Sequence, residues 1–371
     1  MALDGMRVLA YTDSGIFSGA ESVFAAVCGD LVRSKIELTL VAPAENRALR
    51  EALVEACGED VELLDVPAQR GRLAAVWLWS PWRLSVVRRV LRSGTWDCML
   101  VNLPSFELGG SPVLASRRGG PPAIGLVHVH HSLSKAGFRL GWMRERLAGP
   151  VVRRFDHLHV VSPIAATEIQ QTWGVPQERV SIMPLPTPHV VPHDRAEARR
   201  ALDLPPEAPV VCLIGRISLR QKGHDVLLAA AGEVLSARPD SVFAIVGEGA
   251  DRGAFQEEIA RRGLGGSFRF LGSLKPTDVA LAACDMVVIP SRFEGLPLVA
   301  LEALAAGRPG IVSDVDGLRA LWPAPWRVPP DLPEALAEAV LALLSTPQHV
   351  IEEQLEVGRA QLRRLTSERP A

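Results

Sequence analysis

Cysteine is sparse in this chain and unpaired in its spacing. Cys28, Cys57, Cys98, Cys212 and Cys284 form an odd set with no CxxC. That argues against a disulfide framework or a thiolate zinc cluster and suits a reducing compartment. Long apolar runs are missing as well, since none reaches the roughly 18 residues a spanning helix needs. The opening residues MALDGMRVLAYTD carry no charged-then-apolar signal pattern, so a cytoplasmic chain is the expectation. Net charge is only −2, so whole-chain charge selects no partner. Low-complexity tracts and short-period repeats are absent too. With 48% hydrophobic and 22% charged residues the composition is that of a globular chain, not a disordered one. At roughly 100–200 residues per domain, 371 residues make two domains.

What is present is a rhythm of short apolar runs, loops and amphipathic stretches. The runs Arg7–Ala10, Glu37–Val41, Val61–Val66, Cys98–Val101, Ala123–His128 and Leu158–Val161 barely alternate, as strands buried on both faces should. Helical stretches such as Ala20–Val32 and Ala48–Ala56 separate them. This predicts a parallel sheet wrapped by helices. Seven prolines between Pro184 and Pro209 mark a linker with one short helix, Arg195–Leu202. The rhythm then restarts. Strands are predicted at Val210–Ile214, Val242–Val246, Phe268–Leu271, Met286–Ile289 and Gly310–Ser313, with helices at Gly223–Ala237, Gly253–Arg262, Thr277–Ala283 and Pro297–Ala306. The expected organisation is a first domain over 1–185, a linker over 186–209, a second domain over 210–345 and a helical tail over 346–371 that packs back toward the first domain. Both domains are read as α/β and doubly wound, with ligands at the carboxyl ends of the strands.

The most informative segment is SRFEGLPLVALEALAAG, Ser291 to Gly307. It follows a predicted strand, Pro297 suits a helix start, and Gly307 suits the left-handed end. The free N–H groups of that helix start form an anion site for a diphosphate. Glu294 and Glu302 would be repelled by phosphate but accept hydrogen bonds from sugar hydroxyls. Glu302 stands in an Ala/Leu-rich helix, so its charge needs a partner. In LIGRISLRQKGH, Arg216 and Lys222 lie at a strand end within reach of a diphosphate, and Gly215 permits close approach. Gly247 and Glu248, in VGEG, share the same rim. In the first domain, Ser18, Gly19 and Glu21 follow the first strand and open a helix. His128, His130 and His131 close another strand, with no carboxylate or thiol set beside them to complete a metal site. Asp314-Val-Asp316 has the form of a metal-binding DxD but no further ligands near it.

These motifs, in order, resemble the signature of glycosyltransferase family 4. GRIS…KG, VGEG, FLGSL and SRFEGLPLVALEALAAGRPGIVSD carry it over about Pro209–Gly317, with Glu294 and Glu302 as the Glu-x7-Glu pair. More loosely, SGAE resembles the family's GGAE loop, GLVHVHHS its strand ending in a functional histidine, and Val160-Val-Ser162 and Ile182-Met-Pro184 fit as well. The chain departs from the pattern at Ser18, for the first glycine, and at Leu185, for an asparagine. The resemblance implies the GT-B fold, two Rossmann-like doubly wound domains facing a central cleft. It implies a retaining, metal-independent transfer from a nucleotide-diphosphate sugar, with no cofactor. Arg216 and Lys222 would hold the diphosphate, Glu294 the sugar hydroxyls and Glu302 the ribose. Gly295, Leu296, Pro297 and Leu298 would touch sugar and phosphate, Gly272, Ser273 and Leu274 the base, and Gly19 the phosphates or the acceptor. His128 is the first choice for the functional histidine. Ser18, His130 and His131 are acceptor-side candidates.

The family core leaves one stretch unexplained. Residues 66–155 hold fourteen Lys/Arg against three Asp/Glu, a net of +11, with Trp77, Trp79, Trp82 and Trp142. Arg83, Arg88, Arg89 and Arg92 lie along one predicted helix. Such a face suits a lipid-linked or anionic acceptor or an anionic membrane surface; the plain reading is a solvated basic face with its tryptophans in the core. No nucleic-acid module is present. Against the transferase stand a nucleotide-sugar epimerase or phosphorylase on the same fold, and a non-catalytic nucleotide-sugar or membrane-surface protein.

Overall fold

A computed structural model describes residues 5–69, 78–106, 108–116, 119–128, 140–183 and 188–367. The chain forms two compact units, Met1–Pro186 and Thr187–Ala371.

In the first unit, strands β1 (Arg7–Tyr11), β2 (Glu37–Pro43), β3 (Leu63–Val66), β4 (Cys98–Leu103), β5 (Ala123–Val127), β6 (His157–Val160) and β7 (Val180–Ile182) alternate with helices. The helices are α1 (Gly19–Arg33), α2 (Arg47–Cys57), α3 (Pro81–Leu91), α4 (Ser111–Ala115), α5 (Gly141–Val152) and α6 (Pro163–Trp173). Sheet order is β3-β2-β1-β4-β5-β6-β7, every pair parallel. Leu9, Tyr11, Val101, Val127, Leu158 and Val160 pack one sheet face against Val151, Phe155, Ile169 and Trp173. β1, β2, β4 and β5 are buried almost throughout, as their near-continuous apolar runs predict, whereas β3 is part-buried and β6 alternates, with only Leu158 and Val160 buried.

In the second unit, α7 (Arg195–Ala201) leads to β8 (Val210–Ile214), α8 (Leu219–Lys222), α9 (His224–Ala237), β9 (Val242–Val246), α10 (Arg252–Arg261), β10 (Phe268–Gly272) and α11 (Asp278–Ala283). Then come β11 (Met286–Ile289), α12 (Leu298–Ala305), β12 (Gly310–Ser313), α13 (Asp316–Arg319), β13 (Arg327–Val328), α14 (Pro333–Leu344) and α15 (Gln348–Ser367). The sheet runs β10-β9-β8-β11-β12-β13, again all parallel. Each unit is thus a doubly wound, Rossmann-like α/β layer structure.

Arg199 on α7, in the proline-rich stretch, is only 1% exposed. It donates to the carbonyls of Pro205, Pro206, Ala208 and Ala283 and to Asp285 at 2.8 Å. Asp285 also takes Arg195 and the amide of Val210. One buried guanidinium so fastens this stretch to the second unit and sets the start of β8. α15 packs on α12, where Leu304 leaves no room for a side chain at Gly358. Among the described residues no helix is long and apolar enough to cross a membrane.

Candidate active site

Strand order in the second unit reverses at β8 and β11, where an open parallel sheet places its ligand crevice. The loops after those strands are GRIS…KG and SRFEG. α12 follows the second loop, with Pro297 as N-cap in extended backbone (φ −71°, ψ 127°). Proline sits one place before the helix there, where a missing N–H costs nothing. The amide of Ala300 closes onto Pro297 O at 3.0 Å, which leaves those of Leu298 and Val299 as the donors of this helix start. Gly307 (φ 66°) ends the helix in the left-handed conformation.

The two loops meet through side chains. Lys222 Nζ donates to Glu294 Oε1 at 2.7 Å, and Ser291 Oγ donates to the same oxygen at 2.6 Å. The Glu294 side chain is 5% exposed and that of Lys222 17%. Arg292, which sequence reasoning passed over, fixes this meeting. Its guanidinium binds Asp225 at 2.7 Å, Asp331 at 2.5 Å and the carbonyl of Leu219, while its amide donates to Gln221 O. A lone arginine beside the motif gave no signal, because its partners are 67 residues back and 39 ahead.

Glu302 lies on α12, half-buried, with Oε2 accepting from Thr277 Oγ1 at 2.9 Å. Burial pushes its carboxyl pKa upward, and the Thr277 hydrogen bond only partly opposes that. A part-buried carboxylate with one side-chain hydrogen bond carries a desolvation cost that further hydrogen-bond donors would offset. Glu302→Gln keeps a partner for Thr277 and removes the charge. Thermal unfolding is expected at an unchanged or higher temperature, and donor affinity is expected to fall by at least about tenfold; calorimetry on one preparation reads both.

The rest of the rim is stitched by backbone. Gly215 N donates to Val246 O, Ile217 N to Glu248 O and Gly247 N to Gly272 O. Gly247 (φ 139°) lies so close to the carbonyl of Gly215 that a side chain there would collide with it, and Gly223 (φ 67°) stands likewise against Pro290. Arg216 is exposed and held by Gln221 at 2.8 Å. Glu248 is exposed and pairs with Arg252. Ser273 is exposed, and Leu274, Leu296 and Leu298 are half-buried. Gly295 is pressed under the backbone of Gly317. That contact explains the DVDG run: Asp314 is bound to Arg319 and Arg327, and the turn rests on the Glu294 loop. Among the described residues no three His, Cys, Asp or Glu side chains gather as a metal set.

The first unit reverses at β1 and β4. Gly19 is the first residue of α1, and Ser18 donates through N and Oγ to Glu21 Oε2 at 2.9 and 2.6 Å. Glu21 is fully buried as a capping partner. β5 stops at Val127, so His128 lies just past the strand rather than in it. It is 6% exposed, and burial pushes its pKa down to about 4. At neutral pH its ring is uncharged, a hydrogen-bonding group and not a cation. His130 and His131 lie outside the described residues.

Buried histidine has a consequence for stability. His224, at the start of α9, is also fully buried, and its pKa falls to about 4, mainly through desolvation. Between the ordinary value and about pH 4 the unfolded chain binds more protons than the folded one, so stability present above pH 6.5 is lost as pH falls. The expected loss between pH 7 and pH 5 is about 2 kcal/mol per histidine. Urea midpoints at both pH values, in the chain and in His224→Leu, check it; an unchanged pH dependence in the variant would sink the account for His224.

Arg83 needs correcting. It does not join the exposed basic face. It is 2% exposed, and Nη2 meets Asp13 Oδ2 at 2.5 Å while Nε donates to Ser111 Oγ at 3.0 Å. Asp13, fully buried, also accepts from Tyr11 OH and Gly109 N. Arg88, Arg89 and Arg92 are exposed, as expected.

Comparison with known proteins agrees with this architecture. Residues 18–186 match the family described as glycosyl transferase 4-like domain, and residues 208–346 that described as glycosyl transferases group 1. The chain belongs to glycosyltransferase family 4. Among its relatives is the D-inositol 3-phosphate glycosyltransferase of Segniliparus rotundus, 29% identical over 63% of this chain and 55% of that protein. The D-inositol 3-phosphate glycosyltransferase 2 of Catenulispora acidiphila is 34% identical over 55% of this chain and 52% of that protein. The chain thus spans about half the length of these curated relatives. The structure of Anabaena Alr3699/HepE in complex with UDP and glucose superposes with a TM-score of 0.79 at 19% identity, covering 98% of this chain and 97% of that one. This likeness gives the family 4 chain its GT-B fold.

Proposed function

We propose that this family 4 chain is a retaining, metal-independent glycosyltransferase that moves a sugar from a nucleotide-diphosphate sugar to an acceptor hydroxyl. The observation that carries it is the Lys222–Glu294–Ser291 junction at the β8/β11 switch point. Both hydrogen bonds fall on Oε1, so Glu294 Oε2 keeps its lone pairs for a donor-sugar hydroxyl. Lys222 and Arg216, with the first amides of α12, place positive charge where the leaving diphosphate develops negative charge. Glu302 Oε1 takes the ribose, with Thr277 holding the other oxygen. Neutral His128 bonds a hydroxyl without carrying charge. A uridine diphosphate sugar is the first donor to test, since Alr3699/HepE was solved with UDP, and an inositol phosphate is the first acceptor. Calorimetric titration with a panel of nucleotide sugars, followed by product analysis with and without phosphate, separates transfer from phosphorolysis. Saturable binding of one donor, lost in Glu302→Ala, supports the reading; no binding of any donor by folded protein leaves the non-catalytic alternative.

A second observation favours peripheral contact with an anionic membrane. Trp79, Trp82 and Trp142 are 39%, 59% and 62% exposed, not core residues. Trp82 and Arg89 are seven residues apart and share one face of α3. Co-sedimentation with anionic vesicles at low salt is expected, weakened in a Trp82→Ala, Arg89→Ala double variant. No binding to vesicles of any charge removes this reading and leaves the transferase one intact.

A further inference from the structure

The sheet face opposite the Trp173 cluster carries side chains that the reaction does not use. β6 alternates, so Leu158 and Val160 enter the core while His157 and His159 lie on the other face, both half-buried. The register sets His159 beside Ser181 of edge strand β7. His157 Nε2 is 2.8 Å from Ser181 Oγ, and His159 Nδ1 is 2.7 Å from the same atom. The ring centroids are 4.9 Å apart. Two imidazole nitrogens from positions i and i+2 therefore converge on one oxygen.

The group satisfies its own hydrogen bonds. The hydroxyl donates its proton to one ring and accepts N–H from the other. Two imidazole nitrogens at one point are also half of the donor set that borderline divalent metals take, with water able to fill the remaining positions. Beside His157 an open groove of about 680 Å³ is bordered by Asp97, Cys98, Ile124 and Asp156. Asp97 and Asp156 each spend Oδ2 on a backbone amide, of Arg7 and Ala123, and their charge favours a cation approaching along the groove.

We propose that His157 and His159 form a two-imidazole site for a divalent transition-metal ion of the zinc class, with Ser181 Oγ and water completing the coordination. No third His, Cys, Asp or Glu joins them among the described residues, so the site is open and the two rings carry the affinity. Bound there, the ion cross-links β6 to the edge strand β7.

The test is calorimetric titration of the untagged full-length chain with zinc chloride. One ion per chain is expected. His157→Ala and His159→Ala should each weaken it by at least about tenfold, and Ser181→Ala should weaken it less than either. As a second readout, zinc should raise the unfolding temperature of the chain but not of His157→Ala. No saturable uptake by the unaltered chain overturns the proposal. So does uptake that survives both histidine substitutions, which would put the ion elsewhere, as on the 128–131 run. Donor binding is independent of either result.

Discussion

Replacing Lys222 by alanine is expected to lower kcat/KM by roughly 100- to 1,000-fold, with the fall in kcat larger than the rise in KM. Lys222 Nζ rests on Glu294, 2.7 Å from a carboxylate oxygen. Under the proposed function, a diphosphate arriving at the α12 amides would compete with that carboxylate for the ammonium, and the competition would sharpen as charge builds on the leaving group. The interaction would then be stronger in the transition state than in the ground state, which is the condition for an effect on kcat. Removing the ammonium also leaves Glu294 buried with only Ser291 to hold it. Stability should fall too, but by less than the roughly 3–5 kcal/mol of a fully buried pair, because the Lys222 side chain is 17% exposed. Glu294→Gln separates the two effects. It removes the buried charge and keeps an oxygen for Lys222 and Ser291, so it should spare stability and cost sugar recognition. Steady-state kinetics and urea unfolding on both variants decide this. Full activity in Lys222→Ala would remove the lysine from the reaction.

The second unit was more legible than the first, for physical reasons. β8, β9, β11 and β12 are buried along their whole length, so the first three are unbroken apolar runs and β12 is apolar up to Ser313, with the bounds the structure has. β7 and β13 escaped because they are short; β7 is at most half-buried, and neither bears a run. The loops after β8 and β11 declare themselves by glycines that the close backbone packing demands. Sequence spacing cannot show a pairing between distant side chains. The Thr277–Glu302 bond, the Arg292 anchor and the two-histidine clasp on Ser181 all span more than 20 residues. Arg83 was misread for the same reason. Helical periodicity groups it with Arg88, Arg89 and Arg92, and nothing local says that its partner lies 70 residues earlier.

That partner carries the largest expected effect on stability. Asp13→Ala should cost about 3–5 kcal/mol, more than Arg83→Leu. The asymmetry follows from chemistry. Without Asp13, the Arg83 guanidinium stays buried with only the uncharged hydroxyls of Ser111 and Tyr11 beside it among the described residues, and a guanidinium cannot shed its proton. Without Arg83, Asp13 keeps two hydrogen-bond donors, Tyr11 OH and Gly109 N. An apolar pair, Asp13→Leu with Arg83→Leu, should recover much of the loss, since replacing both ions removes the desolvation cost together with the attraction. Urea unfolding of the two single variants and the double variant gives the coupling energy directly. The carbonyl of Asp13 also takes Gln69 N, so the loops after β1, β3 and β4 meet on this residue at the strand ends of the first unit. Asp13→Ala should therefore loosen the Ser18–Gly19 loop as well, seen as faster amide exchange there at a temperature where the chain is still folded. A loss under about 1 kcal/mol in Asp13→Ala, the typical scale of an exposed pair, would mean that water reaches Arg83 and that the pair is not the anchor its burial indicates.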